Sequence, residues 1–357
     1  MKNSNKKIAI IETGGSHDEL IYPQLLFLKQ SGHETHLIIR KNHLKRISLD
    51  QYADHVFTFP DDESLLVRIR NIRQLINYLK RFQIHQLVIN TAQGAFIRDL
   101  SLFLPSKYSV TGISHNPHKI GRSFNQKLIS KRIKKYFVLN DYIIKHIQTK
   151  NPDLSFQSFY AVFIPYIPVK KVHKELIISI PGAIDFNRRD YDLLYESLRK
   201  KTIHRNILFN FTGKCQSPEA KAFRQKMTDL LPKQCHFYDE FIPEKQFLDI
   251  TGNADLLLPL ITPHIPNFIL YKKYKISGTI NLSFGLKIPM LMHESLKGIS
   301  DYQTSSFFFG GDNLVDLLNR LNKKKNLINE KKVEIAGEEK FQFLFQKKQY
   351  LQFLEQN

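Results

Sequence analysis

The sequence predicts two consecutive α/β domains, each built on a largely parallel β-sheet. A strand, a glycine turn, a helix and a second strand follow one another over residues 7–40, which is the order of a βαβ unit. A proline-dense segment at residues 151–174 interrupts the pattern, and the same order of elements restarts at Leu176. The 357 residues also exceed one typical core, so two domains are expected.

The pattern of apolar runs places the elements of both halves. In the first half, strands are predicted at residues 8–11, 35–39, 56–59, 87–90, 109–113 and 136–139, with helices at 20–28, 65–82, 96–104 and 142–148. In the second half, strands are predicted at 176–180, 207–211, 236–238, 255–260 and 288–292, with helices at 189–200, 220–231, from 244, at 280–284 and at 313–322. We therefore expect one domain at 1–169, a second at 170–330 and a helical tail at 331–357.

Composition narrows the class of partner. Lysine and arginine number 53 against 33 acidic residues, a net charge of +20, which implies nucleic acid, an anionic membrane or a phosphorylated substrate. Two cysteines form no disulfide framework and lack the spacing of a zinc site. No apolar run reaches the roughly 18 residues that span a bilayer, and the first residues do not resemble a signal peptide. A cytoplasmic location is expected.

The first glycine turn follows the first strand and contains Gly14 and Gly15. It lacks the G-x-G-x-x-G pattern, and no acidic residue closes the second strand, so NAD binding is disfavoured. His17, followed by Asp18, is the best candidate for proton transfer, because a carboxylate beside a histidine can orient it as a general base. The alternative is ordinary turn polarity.

Two further histidines follow a predicted strand end in the first half. His115 and His118 flank Asn116-Pro117, where ligands of open parallel sheets bind. His115 is the second candidate for proton transfer, and His118 could face the same cleft.

A short apolar helix in the second half begins at a turn of small residues, Ser277, Gly278 and Thr279. Unpaired backbone N–H groups and the helix dipole suit a phosphate at such a terminus, and Gly278 allows close approach. Lys275 lies just upstream. The helix is expected to stop at Gly285, and the alternative interpretation is an ordinary loop-to-helix junction.

The order of these features resembles glycosyltransferases of the GT-B architecture, in which two Rossmann-like domains face each other across a cleft. The segment ETGGSHDELIYPQLLFLKQSGHETHLI resembles the opening of that superfamily in its glycines, its following histidine and a later Gly-His pair. IPGAIDFNRRDYDLL resembles the segment in which a basic residue follows a strand and glycine, and NADLLLPL resembles a later strand. The resemblance covers nearly the whole chain.

The resemblance implies transfer of a sugar from a nucleotide-sugar donor to a glycan or lipid-linked acceptor in cell-surface polysaccharide synthesis. The donor-side residues are then Gly182, Arg188, Arg189, Lys275, Ser277, Gly278 and Thr279, and the acceptor-side residues are Gly14, Gly15 and His118, beside catalytic His17, Asp18 and His115. The chain departs from the family in one respect. Many retaining members have a glutamate in this helix that holds the donor ribose, whereas residues 279–283 contain no carboxylate.

No cofactor or metal is expected beyond the donor substrate. Asp190-Tyr191-Asp192 has the D-x-D spacing that binds metal in another glycosyltransferase fold. Within the predicted helix, however, residues two apart point about 200° away from each other and do not chelate one ion. Acids that complement the helix dipole are the better interpretation.

Two basic amphipathic segments, residues 65–82 and 119–135, suit the anionic inner face of the cytoplasmic membrane, or are solvated faces of ordinary helices. Two other functions stay open. One is a non-catalytic scaffold of a polysaccharide-assembly complex, motivated by the missing carboxylate. The other is nucleic-acid binding, which is not expected because the charge is spread over both halves and no compact binding module is present.

Overall fold

The computed structural model describes residues 6–14, 17–46, 49–60 and 64–356, except the side chains of Asp18, Lys45 and Arg46. The chain divides into two compact units. The first unit comprises Met1–Phe163 and Phe343–Asn357, and the second comprises Ile164–Gln342. Among the described residues, no helix is long and apolar enough to cross a bilayer.

Each unit contains one parallel β-sheet. The first sheet has the order β3-β2-β1-β4-β5-β6-β7, and the second has the order β10-β9-β8-β11-β12-β13. The strands of the first are β1 (Lys7–Glu12), β2 (Glu34–Arg40), β3 (His55–Phe59), β4 (Gln86–Ile89), β5 (Ser109–Ile113), β6 (Lys135–Val138) and β7 (Ser155–Ser158). Those of the second are β8 (Leu176–Ile180), β9 (Ile207–Lys214), β10 (Cys235–Tyr238), β11 (Leu256–Leu257), β12 (Met290–His293) and β13 (Ser306–Phe309).

Helices alternate with the strands, as right-handed parallel crossovers require. The first unit contains α1 (Ile21–Lys29), α2 (Lys41–Arg46), α3 (Leu65–Arg81), α4 (Gly94–Phe103), α5 (Phe124–Arg132) and α6 (Asp141–Ile144). The second contains α7 (Tyr191–Lys200), α8 (Pro218–Leu230), α9 (Glu244–Gly252), α10 (Phe268–Lys273), α11 (Gly278–Leu286), α12 (Ser300–Ser305), α13 (Leu314–Lys323) and α14 (Lys325–Gly337). The last helix is α15 (Phe343–Glu355).

The central strands read as continuous apolar runs because both faces of each sheet are covered. In the first unit Ala9, Ile10 and Ile38 are completely buried, and in the second Ile178 and Phe209 are. This explains why the sequence predicts the strands without a period-two alternation. The predicted α/β class with two parallel sheets is confirmed.

The C-terminal helix α15 packs on the first unit. The ring of Tyr350 stacks on Phe137 at 4.9 Å and lies 5.6 Å from Phe27. Its hydroxyl donates to the buried amide oxygen of Gln24 at 3.0 Å. The sequence separates residues 331–357 as a tail, whereas the structure divides them: α14 lies within the second unit and α15 within the first.

Several predicted elements differ in the structure. The basic segment 119–135 is a 3₁₀ turn (Pro117–Lys119), the helix α5 and the start of β6, so it is not one amphipathic helix. The strands β7 and β13 were not predicted. Helix α11 continues past Gly285 to Leu286, and Lys287 ends it in the left-handed conformation at φ 57°. Propensity alone favours glycine there, but the chain places the turn two residues later.

Candidate functional site

The candidate site residues lie at the carboxyl edges of the two sheets. In the first sheet the strand order reverses between β1 and β4, and in the second between β8 and β11. Ligands of open parallel sheets bind at such points, because the loops diverge there and leave a crevice. Each unit therefore has its own candidate site, built on the loops after these strands.

In the second unit, the turn after β8 packs directly on the end of β9. Gly182 has a φ of 97°, and a Cβ on Gly213 would overlap the carbonyl of Gly182. Arg189 is only 8% exposed, and its guanidinium donates hydrogen bonds to the carbonyl oxygens of Pro181 and Ala183. The resemblance implies that Arg189 binds the nucleotide-sugar donor. In the structure, the Arg189 side chain holds this turn.

Asp190 joins the loops that follow β8 and β11. It is the N-cap of α7, where its carboxylate accepts a hydrogen bond from Leu193 N at 2.9 Å. Its other oxygen accepts from the hydroxyl of Thr262 and lies 2.9 Å from Nδ1 of the exposed His264. Asp192 is exposed on the first turn of α7, so Asp190 works as a cap and a loop anchor.

An open pocket of about 470 Å³ lies beside this anchor in the second unit. Its lining includes Arg189, Asp190, Lys200 and His264. Asp192, Glu196 and Asp312 also line the pocket, and Lys200 Nζ lies 3.7 Å from Asp312 Oδ1, so the lining is of mixed charge and does not by itself select an anionic ligand.

The start of α11 carries two buried polar groups without partners. Thr279 is 2% exposed and Asn281 is 6% exposed. Among the described residues, neither Thr279 Oγ1 nor Asn281 Oδ1 has a hydrogen-bond partner. The N-cap Ser277 makes no side-chain capping bond, and a Cβ on Gly278 would meet nothing within 4 Å. The first turn of the helix is thus open beside Gly278, and the two residues Thr279 and Asn281 that follow it keep buried polar atoms without partners among the described residues, which is rare in proteins.

The other two predicted cations of the second unit, Arg188 and Lys275, both contact residues of α10. A hydrogen bond with Tyr271 raises the pKa of Arg188, so the exposed guanidinium stays charged. Lys275 is half-buried, and its backbone N–H bonds to Leu270 O at 2.8 Å. Both supply positive charge close in sequence to the elements of the candidate donor site.

In the first unit, the buried Glu12 ends β1 and organises the loops at the switch point. Its carboxylate accepts hydrogen bonds from Gly14 N, from Asn90 Nδ2 at 2.6 Å and from Thr91 Oγ1 at 2.7 Å. Burial raises the pKa of Glu12 even though these three donors oppose the shift. The side chain of Gln24 extends the network by donating to Asn90 Oδ1 at 2.7 Å.

Two predicted histidines stack on this network. The rings of His17 and His115 lie 3.6 Å apart between centroids with an angle of 17° between them. His115 Nε2 is 2.9 Å from the carbonyl of Asn90, so Nε2 carries the proton and Nδ1 is the acceptor. Burial, together with the nearby His17, lowers the pKa of His115 to about 3, which keeps it neutral.

His17 is positioned to exchange a proton. It has a φ of 73°, its carbonyl accepts from Asn90 Nδ2 at 3.1 Å, and its side chain is about one-third exposed. The carboxylate nearest its Nδ1 is that of Glu19 at 3.5 Å, whereas the sequence suggested Asp18, whose side chain lies outside the description. Gly15 also lies outside the described residues, and His118 is half-buried in the 3₁₀ turn.

Sequence reasoning missed Glu12, Asn281 as an unpartnered group, and the pairing of Asp190 with His264. Glu12 has a visible signal, since a charged residue that ends a buried strand must be satisfied by its neighbours. The pairing of Asp190 with His264 has none, because 74 residues separate the two side chains in the chain.

Comparison with known proteins extends these observations. Neither a protein-family model nor a curated protein sequence matches the chain. Among solved structures, a glycosyltransferase from Rickettsia africae ESF-5 is 12% identical with a TM-score of 0.65, over 99% of this chain and 98% of that one. Anabaena HepE in complex with UDP is 10% identical with a TM-score of 0.67, over 97% and 98%.

An enzyme of another reaction type has a similar structure. The UDP-GlcNAc 2-epimerase from Neisseria meningitidis, bound to UDP-GlcNAc, is 14% identical with a TM-score of 0.62, over 98% of this chain and 100% of that one. At such identities the likeness establishes the fold. The chain has the GT-B fold that the sequence predicted, with a seven-stranded and a six-stranded parallel sheet.

Proposed function

We propose that the protein transfers a sugar from a nucleotide-sugar donor to a glycan or lipid-linked glycan acceptor. The observation that carries the proposal is the start of α11, where buried Thr279 Oγ1 and Asn281 Oδ1 have no partner among the described residues and a Cβ on Gly278 would meet nothing within 4 Å. Backbone N–H groups and the helix dipole at this end attract a diphosphate. The likeness to HepE, whose structure contains UDP, supports the same ligand class.

Each polar group of α11 has a role in donor binding. Thr279 Oγ1 donates to a phosphate oxygen, and Asn281 Oδ1 accepts from a hydroxyl of the ribose or sugar. The amide oxygen of Asn281 thus accepts the hydrogen bond that a carboxylate in this helix accepts in many retaining enzymes of this fold. Because an amide oxygen is a weaker acceptor than a carboxylate, the nucleoside is held less tightly than the diphosphate.

Cationic side chains stabilise the leaving diphosphate without a bound metal. Charge develops on the phosphate oxygens as the glycosidic bond to the sugar breaks, and preorganised cations and N–H groups lower the free energy of that state. Arg188 and Lys275 supply this charge, and Arg189 adds to it while holding the turn at Gly182.

The first unit supplies the general base and the acceptor contacts. His17 removes the proton from the acceptor hydroxyl, and Glu19 stabilises the imidazolium that forms, from 3.5 Å. His115, neutral and stacked on it, fixes the plane of the ring. Gly14, Gly15 and His118 complete the acceptor side.

The surface of the first unit supports the proposed acceptor class and location. Helix α4 contacts both α3 and α5, and the three helices carry large exposed apolar side chains together with exposed arginines and lysines. These apolar residues are Leu65, Leu66, Leu102, Phe103 and Phe124. Apolar and basic residues on one set of helices suit an anionic bilayer, where a lipid-linked glycan of a cell-surface polysaccharide resides.

A second candidate function is epimerisation of a nucleotide sugar. The likeness to the Neisseria epimerase favours it, since that protein uses the same fold around UDP-GlcNAc. The candidate donor site serves either reaction, and the difference is whether an acceptor is needed.

Product analysis separates the two reactions. The protein is incubated with UDP-, GDP-, ADP- and CMP-sugars, with and without membrane-extracted lipid-linked glycans, and products are followed by mass spectrometry and NMR. Transfer predicts a free nucleotide and a lengthened acceptor, lowered about 10²-fold or more by His17→Ala. The matched change His236→Ala, at an exposed histidine of β10, leaves the rate unchanged.

Other outcomes overturn the proposal. An isomerised nucleotide sugar formed without acceptor indicates an epimerase. Nucleotide sugars that stay intact under all conditions, while still binding, indicate a non-catalytic scaffold.

A further inference from the structure

Three potential metal ligands share one face of the first sheet. They lie at the amino ends of its strands, whereas the candidate site lies at the carboxyl ends. Glu34 and His36 are two residues apart in β2, so their side chains point to the same face. His36 pairs in register with His55 of β3. All three lie near the amino ends of their strands, whereas the loops around Glu12 follow the carboxyl ends.

The ligand atoms already have the spacing of a coordination shell. Glu34 Oε1 lies 3.2 Å from His36 Nε2 and 3.3 Å from His55 Nε2, and the ligand atoms of the three residues lie within 4.8 Å of one another. Ligand bonds of about 2.0–2.1 Å in a tetrahedral zinc site place ligand atoms roughly 3.3 Å apart. A small inward movement of the two rings therefore accommodates an ion.

The surroundings orient the ligands. His36 is completely buried, and its Nδ1 lies 2.9 Å from the hydroxyl of Tyr78, which leaves Nε2 directed toward Glu34. Such a hydrogen bond to the second ring nitrogen is the usual support of a metal-binding histidine. The ring of Phe82 packs against both histidines, at 5.2 Å from His36 and 5.4 Å from His55.

We propose that Glu34, His36 and His55 bind one divalent transition-metal ion of the zinc class, with water in the remaining position. Two imidazoles and one carboxylate suit zinc, whereas magnesium and calcium prefer oxygen ligands alone. Lys7 Nζ lies 3.3 Å from Glu34 Oε1 and is one-third exposed, so its flexible side chain moves aside when the ion binds.

The proposed ion would link the edge strand β3 to its neighbour β2. Within the part of the chain that the structure describes, β3 pairs only with β2, and most of its residues are exposed. His55 belongs to β3, and Glu34 and His36 belong to β2, so a bound ion crosslinks the two strands. This role in stability does not depend on the proposed sugar transfer.

Direct binding measurements with the full chain test the site. Equilibrium dialysis and titration calorimetry with ZnCl₂ are expected to give one ion per chain, and Co²⁺ in its place is expected to give the absorption bands of a tetrahedral site. His55→Ala and Glu34→Gln are chosen because His55 is 43% exposed, Glu34 is 25% exposed, and glutamine keeps the size of glutamate. Each lowers the affinity at least about tenfold.

The control is His236→Ala, an exposed histidine on β10, the edge strand of the second sheet. We expect His236→Ala to bind Zn²⁺ with the affinity of the unmodified protein. Zn²⁺ should raise the Tm of the unmodified protein and of His236→Ala, but not that of His55→Ala. Absence of zinc binding at one equivalent, or undiminished binding by folded His55→Ala, overturns the proposal.

Discussion

Two buried carboxylates, Glu12 and Asp190, make similar contacts in the two units. Glu12 ends β1 and Asp190 caps α7 after β8, and each accepts hydrogen bonds from a backbone N–H and from a threonine hydroxyl of the loop after the neighbouring strand. Burying a carboxylate is costly unless such donors compensate it. The compensation fixes the loops on which His17 and His264 lie, so these acids act as positioning residues.

His115 makes stability depend on pH in a defined direction. Its pKa is about 3 when folded, because of burial and the nearby His17, against an ordinary value of 6.5. Below pH 6.5 the unfolded chain therefore binds a proton that the folded chain does not, and stability falls as the pH falls. We expect the unmodified protein to lose about 1.4 kcal/mol more per pH unit below pH 6 than His115→Gln does.

The measurement is urea unfolding of both proteins at several pH values from 7 to 4. Glutamine keeps a donor for the carbonyl of Asn90 but does not titrate. Parallel pH profiles for the two proteins would mean that His115 is not held neutral by the fold.

At the scale of the element, helix starts and strand ends carry the candidate site. The turn after β8 depends on close backbone packing, since Gly182 is left-handed and Gly213 has no room for a side chain. α11 supplies polar groups only because its first turn is left open by Ser277. Small residues at these junctions thus determine where a ligand can approach.

Gly213→Ala tests the packing of that turn. The added methyl group overlaps the carbonyl of Gly182, which is backbone and does not move aside, so we expect a loss of about 1–3 kcal/mol. Gly298→Ala is the matched control, because nothing lies within 4 Å of a Cβ there and its φ is not left-handed. Urea unfolding gives both values, and equal stability of the two variants would contradict the account.

Much of this fold is readable from the sequence, because central strands of parallel sheets are continuous apolar runs. The ends of β5 and β8 were predicted to the residue. The missed strand β7 contains Ser155 and Ser158 and lies at the sheet edge, where only one neighbour stabilises it, so its apolar signal is weak.

Less of the candidate site can be predicted from the sequence, because many of its contacts join residues that are far apart in the chain. Thr279 was predicted from local turn chemistry and Gly182 from the family resemblance, and the structure brings His17 against His115 as the shared sheet edge implies. Contacts that depend on long-range register, such as His36 with His55, have no local signal. The sequence also assigned Arg189 to the donor without its second role at the turn, because burial of that guanidinium is set by tertiary packing.

At the scale of the whole molecule, the net charge of +20 favours binding of anionic partners. Part of the charge is neutralised internally, since Arg68 and Arg98 both pair with Asp99 at 2.7 Å. Other basic side chains of α3 and α5, including Arg70, Arg73 and Lys127, are exposed. The proposed contact with an anionic membrane uses this exposed set.

Liposome binding tests this assignment. We expect retention on anionic vesicles that weakens with salt and is reduced about tenfold or more by Leu66→Ser with Phe124→Ser, which remove exposed apolar contacts. The control Val172→Ser alters an equally exposed apolar residue of the second unit. Retention on duplex or single-stranded nucleic acid in place of vesicles would favour the nucleic-acid alternative.

The central claim is that the start of α11 binds the diphosphate of a nucleotide-sugar donor, and a melting-shift panel tests it most directly. UDP, GDP, ADP and CMP are titrated against the unmodified protein, Thr279→Val and Thr251→Val. Thr251 is the matched control, because it is also buried and its Oγ1 lacks a partner among the described residues, but it lies at the end of α9.

We predict that at least one nucleotide raises Tm, and that Thr279→Val weakens its binding about tenfold or more, since a hydrogen bond to a charged group contributes about 1.5–3 kcal/mol. Thr251→Val should bind as the unmodified protein does. If no nucleotide shifts Tm, or if Thr279→Val binds as tightly as Thr251→Val, the donor does not bind at α11.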